Sequence, residues 1–181
     1  MNNFIKSDLM RYYGKSDNIT FLKAMLCDRV FRFQCAMRLC RDSGIKKRLG
    51  KILYRCSRVK HQIQIPHQTQ IGYGLFISHG GPVVINPEVV IGNNCNLSQF
   101  TTIGSNSGKG AVIGDNVYIG PNVCIVEDVK IGNNVTIGAG SVVTKDIPDN
   151  ATAVGNYAKV INYNNPGRFV NNRWEINKEE S

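Results

Sequence analysis

The chain has 181 residues, of which 42% are hydrophobic and 19% are charged. This composition is too apolar for a disordered chain, and the apolar runs are far shorter than the ~20 residues that span a bilayer. The 22 lysines and arginines outnumber the 13 acidic residues, so the formal charge is +9 and an acidic ligand or partner is expected.

The N-terminal residues 1–13 mix charged and apolar positions and do not resemble a secretion signal, so we expect a cytoplasmic protein. The six cysteines include no CxxC pair. A disulfide framework or a zinc ribbon is therefore not expected, and the thiols are predicted to be reduced and mostly buried.

Residues 20–60 are predicted to form a helix in two pieces, with a stop at Gly44, because apolar residues recur at helical spacing. We expect this unit to cap the open end of the domain that follows. The basic run 46–60 has three open interpretations: a solvated face, a peripheral contact with anionic lipid, or a nucleic-acid contact. No recognition motif supports the last of these, and no nucleic acid is expected.

A six-residue repeat follows, in which Ile-Gly begins at positions 71, 91, 103, 113, 119, 131 and 137. The register extends to aliphatic residues from Ile65 to Val143, and a second small or β-branched residue lies two positions before most of them. A period of six fits neither a helix nor a hairpin. It predicts short extended faces joined by tight corners, three to a coil, stacked into a parallel β-helix with an aliphatic interior.

Two interruptions break this register. Two extra residues fall between Ile77 and Ile85, and four fall between Ile103 and Ile113. Interruptions of a regular coil are where side chains can meet a ligand. Because the two breaks leave the prism at different corners, we expect them to meet between neighbouring subunits of a homotrimer, with the active site in that cleft.

The repeat resembles that of the hexapeptide-repeat acyltransferases, which implies a mainly β fold, a left-handed parallel β-helix with an N-terminal helical cap. The corresponding division is a helical segment over 1–60, a β-helix domain over 61–161 and a C-terminal tail over 162–181. The tail is expected to be loosely docked through Phe169 and Trp174, and no function is assigned to it.

The segment Ile77–Ile85 looks like the catalytic turn of the serine acetyltransferase subfamily, in which a histidine is the general base. The resemblance implies that His79 takes the proton of an acceptor hydroxyl as it attacks an acetyl thioester. Where the subfamily has an orienting carboxylate, this chain has Gln64, whose carbonyl can fix the imidazole tautomer but cannot stabilise an imidazolium.

The last coil and its exit, 137–161, are similar to the coenzyme A region of the family. Acetyl-CoA is the implied donor, with Ala139 and Thr144 near the pantetheine arm or nucleotide and with Lys145 and Lys159 near the nucleotide or its phosphates. The exit sequence at 156–158 differs from the usual turn of the family.

The acceptor is expected to contact Ser78, Gly80, Gly81 and Lys109. The subfamily has an acidic residue at position 78, and the chain also lacks the long N-terminal helical domain of the serine enzymes. We therefore expect an acetyl-CoA-dependent O-acetyltransferase that modifies a sugar in surface polysaccharide biosynthesis. The alternatives are a serine O-acetyltransferase of cysteine biosynthesis and a non-catalytic β-helix that binds glycans or partners.

Two other chemistries are less favoured. A covalent acetyl-cysteine route would need Cys95 or Cys124, neither of which is placed as an attractive nucleophile. A metal site from His61, His67 and His79 lacks support, because the first two belong to different faces and no acid accompanies them; no metal is expected.

Overall fold

The computed structural model describes residues 1–175, except for the side chain of His61. Its four helices are α1 (Asn3–Tyr13), α2 (Asn18–Cys27), α3 (Arg29–Leu39) and α4 (Gly44–His61). The fifteen strands are β1 (Ile63–Gln64), β2 (Gln70–Ile71), β3 (Phe76–Ile77), β4 (Val83–Ile85), β5 (Val90–Ile91), β6 (Asn96–Leu97), β7 (Thr102–Gly104), β8 (Val112–Ile113), β9 (Tyr118–Ile119), β10 (Cys124–Val126), β11 (Lys130–Ile131), β12 (Thr136–Ile137), β13 (Val142–Val143), β14 (Thr152–Val154) and β15 (Lys159–Asn162).

The strands form three parallel sheets, one for each face of a prism. The first face is β1-β4-β7-β10-β13, the second is β2-β5-β8-β11, and the third runs from β3 through β6, β9 and β12 to β14. Each coil lies on the next in register, as where Ile85 pairs with Ile103. Within residues 1–175 only β15 runs antiparallel to its neighbour, and it closes the third sheet against β14. The prediction of a mainly β, parallel β-helix with a helical N-terminus is confirmed.

The predicted aliphatic column forms the core of this prism. Its thirteen positions are between 0% and 4% exposed. The residue two positions before each of them is also buried, and these residues include the polar Thr101 and Ser141. Both hydroxyls donate to the carbonyl of the residue three positions earlier, which satisfies them inside the core.

The corner between the second and third faces is built from asparagines. Asn94, Asn116, Asn134 and Asn150 all have φ between 55° and 63°, the left-handed region that asparagine tolerates. The side-chain amide of Asn116 donates to Asn134, and that of Asn134 donates to Asn150. In the first coil Gly74 takes the corner below this asparagine ladder with φ of 67°, so every coil makes the same left-handed turn there.

The helices fall within the predicted helical segment 1–60 to within one residue, but their bounds differ from the two pieces predicted over 20–60. Helix α1 precedes the two predicted pieces, and the first of those pieces is two helices that meet at Asp28. The Asp28 carboxylate accepts hydrogen bonds from the amides of Val30 and Phe31, at 2.9 and 3.0 Å, and so caps α3. An N-terminal cap is a strong local start signal, and it overrides the continuous apolar periodicity across this point.

A buried ion pair joins the helices to the first coil. Arg38 of α3 binds Asp8 of α1 through two hydrogen bonds of 2.9 Å, and it also donates to the carbonyls of Ile71 and Gly72. Asp8 in turn accepts the amide of Leu75. Both charged side chains are 2% exposed, so this pair fixes the helical unit against the prism.

The helices also close the N-terminal end of the prism. Phe33 and Tyr54 pack in the same core cluster as Ile63 and Ile65. The Tyr54 hydroxyl donates to the Ile65 carbonyl at 2.6 Å. The aliphatic column therefore does not open to solvent beneath its first coil. The division into 1–60, 61–161 and 162–181 stays a prediction; α4 ends at His61 and β15 at Asn162.

The C-terminal tail returns along the asparagine corner instead of docking only through two aromatic residues. The Gly167 amide donates to the Asn134 carbonyl, and Trp174 exchanges two hydrogen bonds with the Asn94 side chain. Arg11 of α1 donates to Asn171, which links the tail to the helices. Residues 176–181 lie outside the described residues. Within residues 1–175, no helix has the length and apolar content needed to cross a bilayer.

Candidate functional site

The first interruption forms a strained turn between β3 and β4. His79, Gly80 and Gly81 have successive positive φ values of 60°, 66° and 116°. The Gly80 amide donates to the Ser78 carbonyl at 2.7 Å, which tightens the turn. A histidine in the left-handed region is uncommon, and such strain concentrates at functional sites. The His79 side chain is exposed.

His79 opens into a cleft between the helical unit and the first coil. The cleft has a volume of about 740 Å³. It is lined by Tyr12, Tyr13, Cys27, Asp28, Arg29, Val30, Arg32, Phe76, Ile77, Ser78 and His79. The Tyr12 hydroxyl accepts the Ile77 amide at 3.1 Å and donates to the Ile77 carbonyl at 2.9 Å. Helix α1 is thereby bonded to the strand that leads into the His79 turn.

The junction of α2 and α3 supplies opposite charges to this cleft. The second oxygen of Asp28 accepts the Tyr13 hydroxyl at 3.1 Å, and burial together with the Asp28 charge raises the pKa of Tyr13 to about 12. The Arg29 side chain forms no hydrogen bond or ion pair with another residue of 1–175. It also lines a smaller cavity of about 180 Å³ that includes Gly80 and Gly81. The two charged residues therefore flank the His79 turn.

Helix α3 packs directly on the turn. A Cβ atom placed on Gly80 would lie 2.8 Å from Cγ2 of Val30, so only glycine fits this approach. Asp28 and Arg29 were missed by the sequence analysis. The signal that identifies this position is an aspartate followed by an apolar run, which is typical of a helix start.

Gln64 lies elsewhere. It pairs with Val84 across the first sheet and lines a separate cavity of about 400 Å³ with Gln62 and Pro82. Within residues 1–175 the His79 side chain has no hydrogen-bond partner. The orienting role of Gln64 stays a prediction.

The second interruption, 104–110, is organised by a residue that sequence analysis missed. Glu127, one coil above, accepts hydrogen bonds from the Ser105 hydroxyl and from the amides of Asn106 and Ser107, at 3.2 to 3.3 Å. Lys109 is exposed on this loop. It lies at the corner between the first and second faces, whereas His79 lies at the corner between the third and first faces, so one subunit does not bring the two together.

We expect the order of this loop to depend on pH. The hydrogen bonds from Ser107 and Asn106 hold the pKa of Glu127 below its usual value. Because the pKa of Glu127 is lowered in the folded protein, its carboxylate stabilises the loop fully above the usual pKa of about 4.3. That stabilisation is lost as the pH falls through the lower pKa of the folded state. An NMR titration should show the Ser107 amide shifting in that acidic range. Glu127→Gln should remove the shift and Glu88→Gln, at an exposed glutamate, should keep it; an unchanged titration in Glu127→Gln would contradict this assignment.

The predicted donor residues gather at the last coil. Ala139 lies between β12 and β13, Thr144 and Lys145 follow β13, and Lys159 begins β15. Both lysines are exposed, and neither forms an ion pair within residues 1–175. Ala139 occupies the same corner of the prism as the His79 turn, three coils above it, which corresponds to about 15 Å along the axis.

The cysteines follow their prediction only in part. All six are free, but Cys27 and Cys56 are exposed. Burial raises the pKa of Cys95 to about 12, which makes its thiolate inaccessible as a nucleophile near neutral pH. Among the described residues, no group of three or more His, Cys, Asp or Glu side chains is arranged to hold a metal ion.

Comparisons with known proteins agree with the fold. Residues 110–145 match the family model of the bacterial transferase hexapeptide (six repeats). The serine acetyltransferase of Synechococcus elongatus is 34% identical over 143 residues, which are 77% of this chain. The chain spans 56% of the length of that curated relative.

Two solved structures extend the similarity. Soybean serine acetyltransferase complexed with serine is 30% identical, with a TM-score of 0.71 over 88% of this chain and 70% of that chain. Serine acetyltransferase from Brucella abortus in complex with coenzyme A is 25% identical, with a TM-score of 0.69 over 87% of this chain and 66% of that chain.

These relatives correct one expectation. The prediction of a sugar acceptor in polysaccharide biosynthesis is wrong, because the similar proteins are serine acetyltransferases. That prediction relied on the absence of a carboxylate near the histidine, and the cleft contains one at Asp28. With its stacked repeat, its histidine turn and these similarities, the chain belongs to the hexapeptide-repeat acyltransferases of the serine acetyltransferase type.

Proposed function

We propose that the protein is an acetyl-CoA-dependent serine O-acetyltransferase in which His79 is the general base. One observation carries this proposal: His79 shares its cleft with the carboxylate of Asp28 and the guanidinium of Arg29. Relatives whose structures contain serine or coenzyme A support the same acceptor and donor.

The charges in the cleft suit a free amino acid. Serine carries an ammonium group and a carboxylate, and charge-assisted hydrogen bonds to Asp28 and Arg29 would orient both. Asp28 keeps one oxygen for its two backbone amides, and the other accepts only the Tyr13 hydroxyl. A neutral sugar would leave both charged groups without a partner, which disfavours it.

Direct transfer follows from this arrangement. The imidazole of His79 accepts the hydroxyl proton as the serine oxygen bonds to the thioester carbonyl carbon. The carbon–sulfur bond then breaks, and the proton passes to the departing thiolate, giving O-acetylserine and free coenzyme A. In the His79 turn the amides of Ser78 and Gly80 already donate to the carbonyls of Leu97 and Ser78. The amides of His79 and Gly81 are therefore the candidates to stabilise the oxyanion. We propose acceptor contacts at Ser78, Gly80 and Gly81.

We propose that the donor lies along the corner that joins His79 to Ala139. Small residues line its upper end, and Lys145 and Lys159 are free to pair with the nucleotide phosphates. An extended arm is needed to cover the three coils between the exposed lysines and the histidine. Thr144 is half-buried beside Lys145 and would contact the arm.

We also propose a homotrimer. Lys109 and His79 leave one prism at different corners, and contact between different corners of neighbouring subunits would bring a Lys109 to each His79 cleft. Free thiols at all six cysteines are consistent with a cytoplasmic protein, which we propose as its compartment.

The decisive experiment measures thiol release from acetyl-CoA with L-serine, serinol, free sugars and nucleotide sugars. We expect turnover with L-serine, and we expect Asp28→Asn and Arg29→Gln to raise its KM about 10- to 100-fold without changing the KM of acetyl-CoA. Serinol lacks the carboxylate, so Arg29→Gln should not affect its turnover.

Asp17→Asn is the matched control, because Asp17 caps α2 through two backbone amides as Asp28 caps α3, but it does not line the cleft. It should leave the KM of serine unchanged. Turnover with a sugar and none with L-serine would overturn the proposed acceptor, and no thiol release with any acceptor would favour a binding protein.

A further inference from the structure

Helix α4 presents an apolar stripe to solvent. Five residues at alternating intervals of four and three lie on one face of the helix. They are Ile45, Leu49, Ile52, Cys56 and Val59. Ile45 is 83% exposed, Ile52 is 63% exposed and Val59 is 75% exposed. A helix at the surface of a monomer normally presents polar residues on this face.

The opposite face of α4 already has its partner. Gly50 and Tyr54, one turn apart, are buried. A Cβ atom on Gly50 would lie 2.7 Å from the backbone and side chain of Leu39, so α4 lies against α3 at backbone contact. Helix α4 thus packs on α3 through the face opposite the stripe. Among residues 1–175 nothing covers the stripe itself.

Both borders of the stripe are basic. Helical spacing places Arg48, Lys51 and Arg55 along one border, and Lys46 and Lys60 along the other. The whole helix carries seven lysines and arginines and no acidic residue. The stripe of a second copy would bring the same charges with it, so contact between two such faces would be opposed by repulsion.

From this geometry we propose that α4 docks on the surface of an anionic phospholipid bilayer, with the stripe in the interface and the basic borders at the lipid phosphates. Apolar burial and attraction of lysine and arginine to anionic lipid are the two contributions that hold an interfacial helix. The stripe and its borders supply both on one surface.

Two exposed cysteines provide a matched pair of reporters. Cys56 lies within the stripe and Cys27 lies in the His79 cleft. An environment-sensitive fluorophore on Cys56 in Cys27→Ser should shift to shorter wavelength with vesicles of phosphatidylglycerol and phosphatidylcholine, and not with phosphatidylcholine alone. The same fluorophore on Cys27 in Cys56→Ser should not shift.

Co-sedimentation of the full chain with these vesicles gives the affinity. Ile45→Ser/Ile52→Ser should lower the partition coefficient at least tenfold, and Lys46→Gln/Lys51→Gln about 30-fold. The control is Ile19→Ser/Leu22→Ser, since α2 also exposes these apolar side chains, at 71% and 61%. That control should bind as the wild type does.

Three results would overturn the proposal. One is equal binding to neutral and anionic vesicles, and another is an equal loss in the α2 and α4 variants. The third is a change of oligomeric mass in Ile45→Ser/Ile52→Ser by light scattering, which would assign the stripe to contact between copies of the chain.

Discussion

Replacing His79 by asparagine should lower kcat for thiol release about 10²- to 10⁴-fold, the usual contribution of a general base. Asparagine is preferred over alanine here because it tolerates the left-handed backbone of residue 79. The variant therefore removes the base and keeps the turn.

Measurements on the same variant separate chemistry from folding. His79 is exposed and makes no hydrogen bond within residues 1–175, so the free energy of unfolding should change by less than about 0.5 kcal/mol. Binding of coenzyme A, followed by calorimetry, should be unchanged. A variant that retains more than a tenth of the wild-type kcat would contradict the assignment of His79 as the base.

Replacing Asp8 by asparagine should destabilise the protein by about 3–5 kcal/mol, because it leaves the Arg38 charge buried without a counter-ion. Arg38 would keep its hydrogen bonds to the carbonyls of Ile71 and Gly72, but these groups carry no net charge. Chemical denaturation followed by circular dichroism would measure the loss.

Two further variants test the cause. Asp17→Asn changes an exposed aspartate in the same way and should cost less than about 0.5 kcal/mol. Replacing both members of the pair, in Asp8→Leu/Arg38→Met, should recover part of the loss, since no unpaired charge remains. Similar losses for Asp8→Asn and Asp17→Asn would show that burial of the pair does not govern its contribution.

The fold was predictable where the sequence repeats. Each of the thirteen aliphatic positions has the same environment, so one rule identifies them all, and each is buried. The bounds and packing of helix α1 within the helical segment were not predictable, because its contacts are distant in sequence: Asp8 and Tyr12 bond to residues 75–77. The break at Asp28 depends on two local hydrogen bonds that compete with an otherwise continuous helical pattern.

The site was predictable to a similar extent. The interrupted register locates the His79 turn, since a strict repeat makes any insertion visible. Asp28 and Arg29 lie about fifty residues away and approach the turn only because Val30 packs on Gly80. Glu127 acts one coil above the loop that it holds, and a residue at a corner position gives no sign of such a role.

The asparagine ladder has a consequence for the dimensions of the molecule. Because every coil makes the same turn at that corner, a whole coil is the smallest unit that can be added or removed without changing the pairing of the others. The span from the histidine turn to the terminal lysines can thus change only in steps of about 4.8 Å. An insertion shorter than a whole coil must bulge outward as a loop.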